Sequence, residues 1–229
     1  FHFYPVIVRD SIATIYLHNN MLEYGHTYYV TIDNGVLNLA DGSFQGVTKE
    51  DEWTFTTKSD MPELSDTLIV DATGKGDFNT VQGALDFIPD FNEQQTVILV
   101  NPGDYEELVY TRNKWNVKIK GAGMADTKVH YANNEVFNPH PLTVKTNEWP
   151  GTFPSRRAAF MLDNCKDIVI EDMTIATDLK GQAEGLLING ERIALYRVHI
   201  IGSGDALQAN GTIYMESCEL RSEEHTSEL

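Results

Sequence analysis

Several features that define common protein classes are missing from this sequence of 229 residues. It has only two cysteines, Cys165 and Cys218, which are too few for a disulfide framework and lack the spacing of metal ligands. No apolar run approaches the roughly 18 residues of a membrane span, so none is expected. Lys and Arg number 17 against 34 Asp and Glu, a net charge of −17. A chain this acidic is poorly suited to bind phosphates, so no nucleic-acid partner is expected. No pattern indicates a metal ion or another cofactor.

The residues that are present favour strands over helices. Apolar residues make up 41% of the chain, enough for a core, and Thr, Val, Ile, Tyr, Asn and Gly are common. An all-β fold is therefore predicted.

The N-terminal quarter, residues 1–57, consists of short alternating segments separated by turns. The segments ATIYL, TYYVTID and EWTFTT are typical of strands, and DNG and ADGS are typical of turns. The stretch from residue 27 to 57 resembles the C-terminal half of bacterial Ig-like domains, which implies a partial Ig-like β-sandwich over 1–57. An unrelated β-hairpin domain is the alternative. The polar stretch 58–67, which contains Pro62, is predicted to be a linker.

The remainder, residues 68–220, opens with a strand, a helix over 80–88 and two further strands, and then repeats. MLDNCKDIVIEDMTI (161–175) and LLINGERIALYRVHI (186–200) share their apolar positions at an offset of 25. LQANGTIYMESCEL (207–220) continues the same columns at an offset of 21 that falls to 20. Irregular repeats of this length with short alternating segments predict a solenoid of parallel strands, because one turn cannot bury its apolar row alone. We therefore predict a parallel β-helix whose N-terminal end is covered by the helix; a leucine-rich repeat is the nearest alternative.

Three motifs in order within this solenoid carry a family resemblance. They are TFPS at 152–155, QAEGL at 182–186 and GDALQA at 204–209. Together with GKGDFNTVQGALDFIP near the start, they resemble the pectinesterase (pectin methylesterase) family over residues 68–220. The resemblance implies a right-handed parallel β-helix that hydrolyses the methyl esters of pectin without a metal.

The resemblance also implies roles for individual residues. Asp205 corresponds to the family's acid/base carboxylate, Gln182 to a glutamine that holds the oxyanion and the substrate, and Thr152 to a substrate contact. One departure stands out: Gly204 occupies the position where the family usually has a second glutamine. Taken alone, Asp205 would be read as a turn residue and Gln182 as a solvated loop residue.

The spacing of the repeats supports the same grouping. An offset of 21 places Asp205 beside Glu184 on the preceding turn of the solenoid, about 4.8 Å away. If the chain is extended here, Gln182 shares a face with Glu184. Gln182 and Asp205 are therefore expected to lie close to one acyl group.

The last nine residues, RSEEHTSEL, have no strand or turn pattern. They match the translation of a common sequencing-adaptor oligonucleotide, so residues 221–229 are expected to be a non-native tail. The family's nucleophilic aspartate, expected one turn beyond Asp205 near Thr226, would then be missing together with its arginine. The chain as written is expected to be inactive.

Two other functions remain open at this point. A pectate-lyase-like enzyme of the same fold would need calcium, clustered carboxylates and a basic residue such as Arg157. A carbohydrate-binding or adhesin solenoid would bind pectin without changing it. For the esterase we expect methylated polygalacturonate as partner, a monomer, and a secreted, periplasmic or cell-surface location.

Overall fold

The computed structural model describes residues 5–17, 21–38, 41–63, 67–138 and 156–222. The chain divides into two compact units, residues 4–63 and residues 64–229. Among the described residues, no helix is long and apolar enough to cross a membrane.

The smaller unit contains two short antiparallel ladders. β1 (Val6–Arg9) pairs with β2 (Ile12–Ile15), and β3 (Thr27–Tyr29) pairs with β4 (Thr54–Thr56). An isolated antiparallel bridge joins Ile32 to Val47. The Ig-like interpretation of this unit stays a prediction.

In its described residues, the larger unit contains one helix and ten strands. The helix α1 spans Val81–Phe87. The strands are β5 (Thr67–Val70), β6 (Thr96–Val100), β7 (Gly103–Glu106), β8 (Val109–Arg112), β9 (Trp115–Lys120), β10 (Thr127–Tyr131), β11 (Phe160–Thr177), β12 (Glu184–Gly202), β13 (Asp205–Glu216) and β14 (Glu219–Ser222).

Every ladder of this unit is parallel, and the ladders form three stacks. The first runs β5, β6, β9, β11, β12, β13, and the second runs β7, β10, β11, β12, β14. The third joins β8 to the first parts of β11, β12 and β13. From β8 onward, each turn of the chain thus contributes one strand segment to each stack, and we call each turn of the chain a rung. The predicted parallel β-helix is confirmed.

The predicted register between the last three rungs is also confirmed. Ile168 pairs with Ile193 and Ile175 with Ile200, both at the offset of 25. Ile200 then pairs with Leu220 at the offset of 20. The strand β14 continues through Arg221 and Ser222, which pair with Ile201 and Gly202. Residues 223–229 lie outside the described residues, so the interpretation of the tail stays a prediction.

The core is a set of apolar rows that run along the solenoid axis. One row crosses six rungs of the first stack, and each of its first five side chains is 0% exposed. Each burial removes an aliphatic side chain from water, which stabilises the fold by about 2 kcal/mol per residue. The row is Leu68, Ile98, Ile119, Ile170, Leu195 and Met215.

The corners between stacks are made by single residues in the left-handed conformation, so β11 and β12 continue around them. Asp167 and Asp172 have φ of 54° and 59°, and Arg192 and Arg197 on the next rung have φ of 54° and 53°. Asp tolerates this conformation well, whereas Arg seldom adopts it. Each arginine donates two hydrogen bonds to the aspartate of the preceding rung, Arg192 to Asp167 and Arg197 to Asp172. These bidentate pairs link the corners of neighbouring rungs.

The helix α1 begins at the predicted place and packs against the first rung. Thr80 is its N-cap, accepting a hydrogen bond from the Gly83 N–H, and Val81, Ala84 and Leu85 are buried. The buried carboxylate of Glu107 also accepts hydrogen bonds from the N–H groups of Val81 and Gln82, both at 2.8 Å. Burial raises the pKa of Glu107 to about 7, against the opposing effect of these two hydrogen bonds.

The ionisation of Glu107 makes the stability of the solenoid depend on pH. Its folded-state pKa lies above the unfolded value of 4.5, so this contribution is fully present below pH 4.5 and is lost as the pH rises through about 7. The loss amounts to about 3 kcal/mol over that range. Urea unfolding of the 229-residue chain between pH 5 and 8 measures this loss. The free energy of unfolding should fall more steeply with rising pH in wild type than in Glu107→Gln. Glu93→Gln, at an exposed position, is the control and should keep the wild-type slope; equal slopes in wild type and Glu107→Gln would contradict the assignment.

Candidate active site

The candidate site lies where the third stack begins on the last two rungs. Glu184 is the first residue of β12 and Asp205 the first of β13, and the two are direct partners in the parallel ladder. This is the pairing that the offset of 21 predicts. The two residues differ in environment, since Glu184 is 0% exposed and Asp205 is exposed.

Gln182 does not lie in an extended segment, as had been expected, and its side chain lies against Gly204. The strand β12 begins only at Glu184, so Gln182 lies in the bend before it rather than in an extended segment. Its side chain nevertheless reaches Gly204: a Cβ added there would lie 3.2 Å from Oε1 of Gln182 and 3.1 Å from the Gly181 carbonyl oxygen. The glycine that departs from the family pattern therefore leaves room for the Gln182 side chain on the rung below.

Backbone and hydroxyl hydrogen bonds hold these two bends together. The N–H groups of Ser203 and Gly204 donate to the carbonyls of Ala183 and Gly181, at 2.9 and 2.8 Å. The Gly181 N–H donates to the Ser203 hydroxyl at 3.0 Å. On the far side, the Ser222 hydroxyl donates to the carbonyls of Ser203 and Gly204. The backbone around Asp205 is thus held from both neighbouring rungs.

A buried ion pair lies directly beneath Asp205. Arg157 donates from both Nε and Nη2 to the same oxygen of Glu184, Oε1, each at 2.6 Å. Its third nitrogen, Nη1, lies 3.5 Å from Oε2 of Glu135, whose side chain is half exposed. The other oxygen of Glu184, Oε2, is buried and has no hydrogen-bond partner among the described residues.

The pKa values at the site follow from burial and from these charges. Burial raises the pKa of Glu184, the Arg157 guanidinium opposes the rise, and the charge of Asp205 adds to it. For Arg157, burial works against the charged form, yet the hydrogen bond and charge of Glu184, with those of Glu135 and Asp205, raise its pKa. Asp205 is therefore close enough to Arg157 and Glu184 for its charge to act on both.

The segment after β10 fixes the near side of the site. The Asn133 amide donates to the carbonyls of Arg156 and Ala158, at 2.7 and 2.8 Å. The next residue, Asn134, donates to the Lys180 carbonyl, and the Glu135 N–H donates to the Gln182 carbonyl. Residues 133–135 therefore adjoin the site.

The predicted site residues fall into two groups. The Gln182 side chain lies against Gly204, the residue before Asp205, and its convergence with Asp205 on one acyl group stays a prediction. Thr152 lies outside the described residues. Arg157, the basic residue named for the lyase alternative, binds Glu184, whereas no sequence pattern pointed to Glu135. Within the described ranges, no three His, Cys, Asp or Glu side chains are grouped so that they could hold a metal ion.

Comparison with known proteins assigns the chain to a family. The family model described as Pectinesterase matches residues 67–221, more than half of the chain. The chain therefore belongs to the pectinesterase family. Pectinesterase QRT1 of Arabidopsis thaliana is 30% identical over 162 residues, which cover 67% of this chain and 41% of that protein. Pectinesterase 31 of the same plant is 29% identical over 154 residues, covering 65% and 47%. The chain thus spans less than half the length of these relatives.

Solved structures agree on the fold. A pectin methylesterase from carrot superposes with a TM-score of 0.55 at 21% identity, covering 66% of this chain and 44% of that one. The pectin methylesterase from Aspergillus niger also gives 0.55, at 18% identity, covering 69% and 51%.

Removing Arg157 alone should lower the free energy of unfolding more than removing both members of the ion pair. Arg157→Met leaves Glu184 buried without its partner and should cost about 3 kcal/mol, whereas Arg157→Met/Glu184→Met removes both charges and should cost less. Urea unfolding of the 229-residue chain at neutral pH measures both. Arg192→Met, which breaks an exposed pair, is the control and should lose less than Arg157→Met. A double variant that is less stable than Arg157→Met would contradict this account of the pair.

Proposed function

We propose that this chain forms the acid/base side of a carboxylic ester hydrolase that removes methyl esters from pectin. Membership of the pectinesterase family supports the reaction and the substrate class. The single observation that supports the site is the ladder pairing of the exposed Asp205 with Glu184, two residues after Gln182. An exposed carboxyl group with a glutamine on the neighbouring rung suits ester hydrolysis.

The chemistry requires two carboxyl groups. A nucleophilic aspartate attacks the carbonyl carbon of the methyl ester, and the carbonyl oxygen becomes an oxyanion. Asp205, in its protonated form, donates its proton to the departing methoxy oxygen, and methanol leaves with an acyl-enzyme remaining. The Asp205 carboxylate then takes a proton from water, whose oxygen attacks the acyl carbon. This step yields galacturonate, regenerates the nucleophile and returns Asp205 to its acid form.

The Gln182 amide is proposed to donate a hydrogen bond to the oxyanion. The family places a second glutamine at the position of Gly204, and here the Gln182 side chain lies over that glycine. One amide would then serve where the family has two. Thr152 is proposed as a substrate contact, and the nucleophile as an aspartate one rung beyond Asp205.

The proposal also covers the oligomeric state and the location of the enzyme. We propose that the enzyme is monomeric and acts outside the cytoplasm, where pectin is found. The family match supports the esterase over the lyase and over the non-catalytic solenoid. Each of the latter two has a distinct outcome in the assay below.

The assay is methanol release from highly methylated pectin by an enzyme of native family length that contains residues 67–220. Asp205→Asn should lower kcat by about 100-fold or more because the leaving group loses its proton donor. Gln182→Ala should lower kcat by about 100-fold with a smaller change in KM, because the oxyanion forms only in the transition state. Glu191→Gln, on the exposed side of β12, should leave both constants unchanged.

Full activity of Asp205→Asn would contradict the proposed role. Calcium-dependent products that absorb ultraviolet light would indicate a lyase instead. Binding of pectin with no loss of ester would indicate a binding solenoid.

A further inference from the structure

The charges around Arg157 are unbalanced. The guanidinium is bound by the carboxylate of Glu184 and approached by that of Glu135, and a third carboxylate, that of Asp205, belongs to the residue paired with Glu184 on the next rung. One positive charge against three negative ones leaves the cluster negative when all four groups are ionised. Since the site adjoins Asp205, any substrate group that reacts there meets this excess.

Stability alone does not account for the Glu184–Arg157 pair. A buried ion pair is often no more stable than apolar side chains of similar size, because both ions lose their hydration. Here one carboxylate oxygen, Oε2 of Glu184, lacks a hydrogen-bond partner among the described residues, which adds to the cost. A role beyond stability is the better explanation of the pair.

The geometry of the pair also limits what Arg157 can bind. An arginine recognises a carboxylate best through two parallel hydrogen bonds from one edge of its guanidinium. In Arg157 the Nε–Nη2 edge is already given to Glu184, and Nη1 faces Glu135. The arginine nearest Asp205 is therefore occupied, and a free carboxylate of the substrate would not find that edge open.

We propose that Glu184 is a specificity-determining residue: it occupies Arg157 and adds a negative charge beneath Asp205, so that the reacting position accepts a neutral methyl-esterified galacturonate and disfavours the free acid. This inference rests on the proposed function and deepens it by naming the charge state of the sugar. It also gives the reaction a direction, because hydrolysis converts the favoured neutral group into a disfavoured anion and methanol. Glu184 acts here through Arg157 and through its charge, not by contact with the reacting atoms.

The size of the effect follows from charge interaction across a partly hydrated cleft. One unit charge about 7 Å from another, at an effective dielectric constant of about 35 to 50, changes affinity by about fivefold to tenfold. The effect should shrink as salt is added, since the Debye length falls to about 3 Å at 1 M.

The test measures binding, so it needs no turnover. Calorimetry compares hexagalacturonate with its fully methyl-esterified form, each titrated into the 229-residue chain at low salt. Wild type should bind the ester more tightly. Glu184→Gln keeps an acceptor for Arg157 but removes the charge, so affinity for the acid should rise about fivefold to tenfold while affinity for the ester changes less than twofold. Glu191→Gln, which makes the same change in net charge on an exposed part of β12, should leave both affinities unchanged.

A double variant separates charge from packing. Arg157→Gln/Glu184→Gln removes one charge of each sign, so affinity for the acid should return close to the wild-type value. If the role of Glu184 were purely structural, the affinity of the double variant for the acid would differ from wild type at least as much as that of Glu184→Gln. If Glu184→Gln is unfolded by circular dichroism, Glu135→Gln takes its place, with a change in the same direction but smaller, because Glu135 is half exposed.

The results distinguish this inference from the proposed function. The inference would be overturned if Glu184→Gln kept the wild-type preference for the esterified oligomer over the acid. It would also be overturned if no variant bound either oligomer. Failure of the native-length enzyme to release methanol would overturn the proposed function, while the binding preference is still decided by calorimetry. Methanol release together with an unchanged preference would overturn the inference alone.

Discussion

The parallel register between successive rungs is the constraint on which the rest of this structure depends. It aligns each inward apolar residue with its counterpart one rung away, and it does the same for the outward polar residues. The ladder that buries Ile168 against Ile193 and Leu195 against Met215 also sets Asp205 beside Glu184. A shift of one residue would turn every side chain to the opposite face, so the core and the site are specified by the same pairing.

The site combines a fixed backbone with unequal burial. Asp205 is exposed, whereas Glu184 is buried one rung below and bound to Arg157. Glycines make this arrangement possible, since Gly204 leaves space for the Gln182 amide. The tightly packed Gly204 and the buried charge of Glu184 thus lie within one rung of Asp205, to which we assign the acid/base role.

Much of the solenoid could be predicted from the sequence because its core obeys a simple repeat. Alternating apolar residues at offsets of 25 and then 20 to 21 specify which residues stack, as Ile175, Ile200 and Leu220 do. The helix α1 could be predicted for a similar reason, since its buried face and its Thr80 cap are local signals.

Features that depend on non-repeating segments could not be predicted. The bend at Gln182 breaks the alternation, so counting residues along an extended strand does not give the direction of its side chain. Arg157 and Glu135 reach the site from the ends of a long excursion that has no period. The corners at Arg192 and Arg197 carry no turn signal, because arginine takes up the left-handed conformation here only with an aspartate on the rung below.

The central claim is that the rung register brings the Gln182 amide and the Asp205 carboxyl group to one ester. A crystal structure of the native-length enzyme, inactivated at Asp205→Asn and soaked with methyl-esterified hexagalacturonate, tests it most directly. The account predicts one ester group with its carbonyl oxygen about 3 Å from the Gln182 amide nitrogen and its methoxy oxygen about 3 Å from the side chain at position 205. An oligomer bound along another face of the solenoid, with no ester near either side chain, would contradict it.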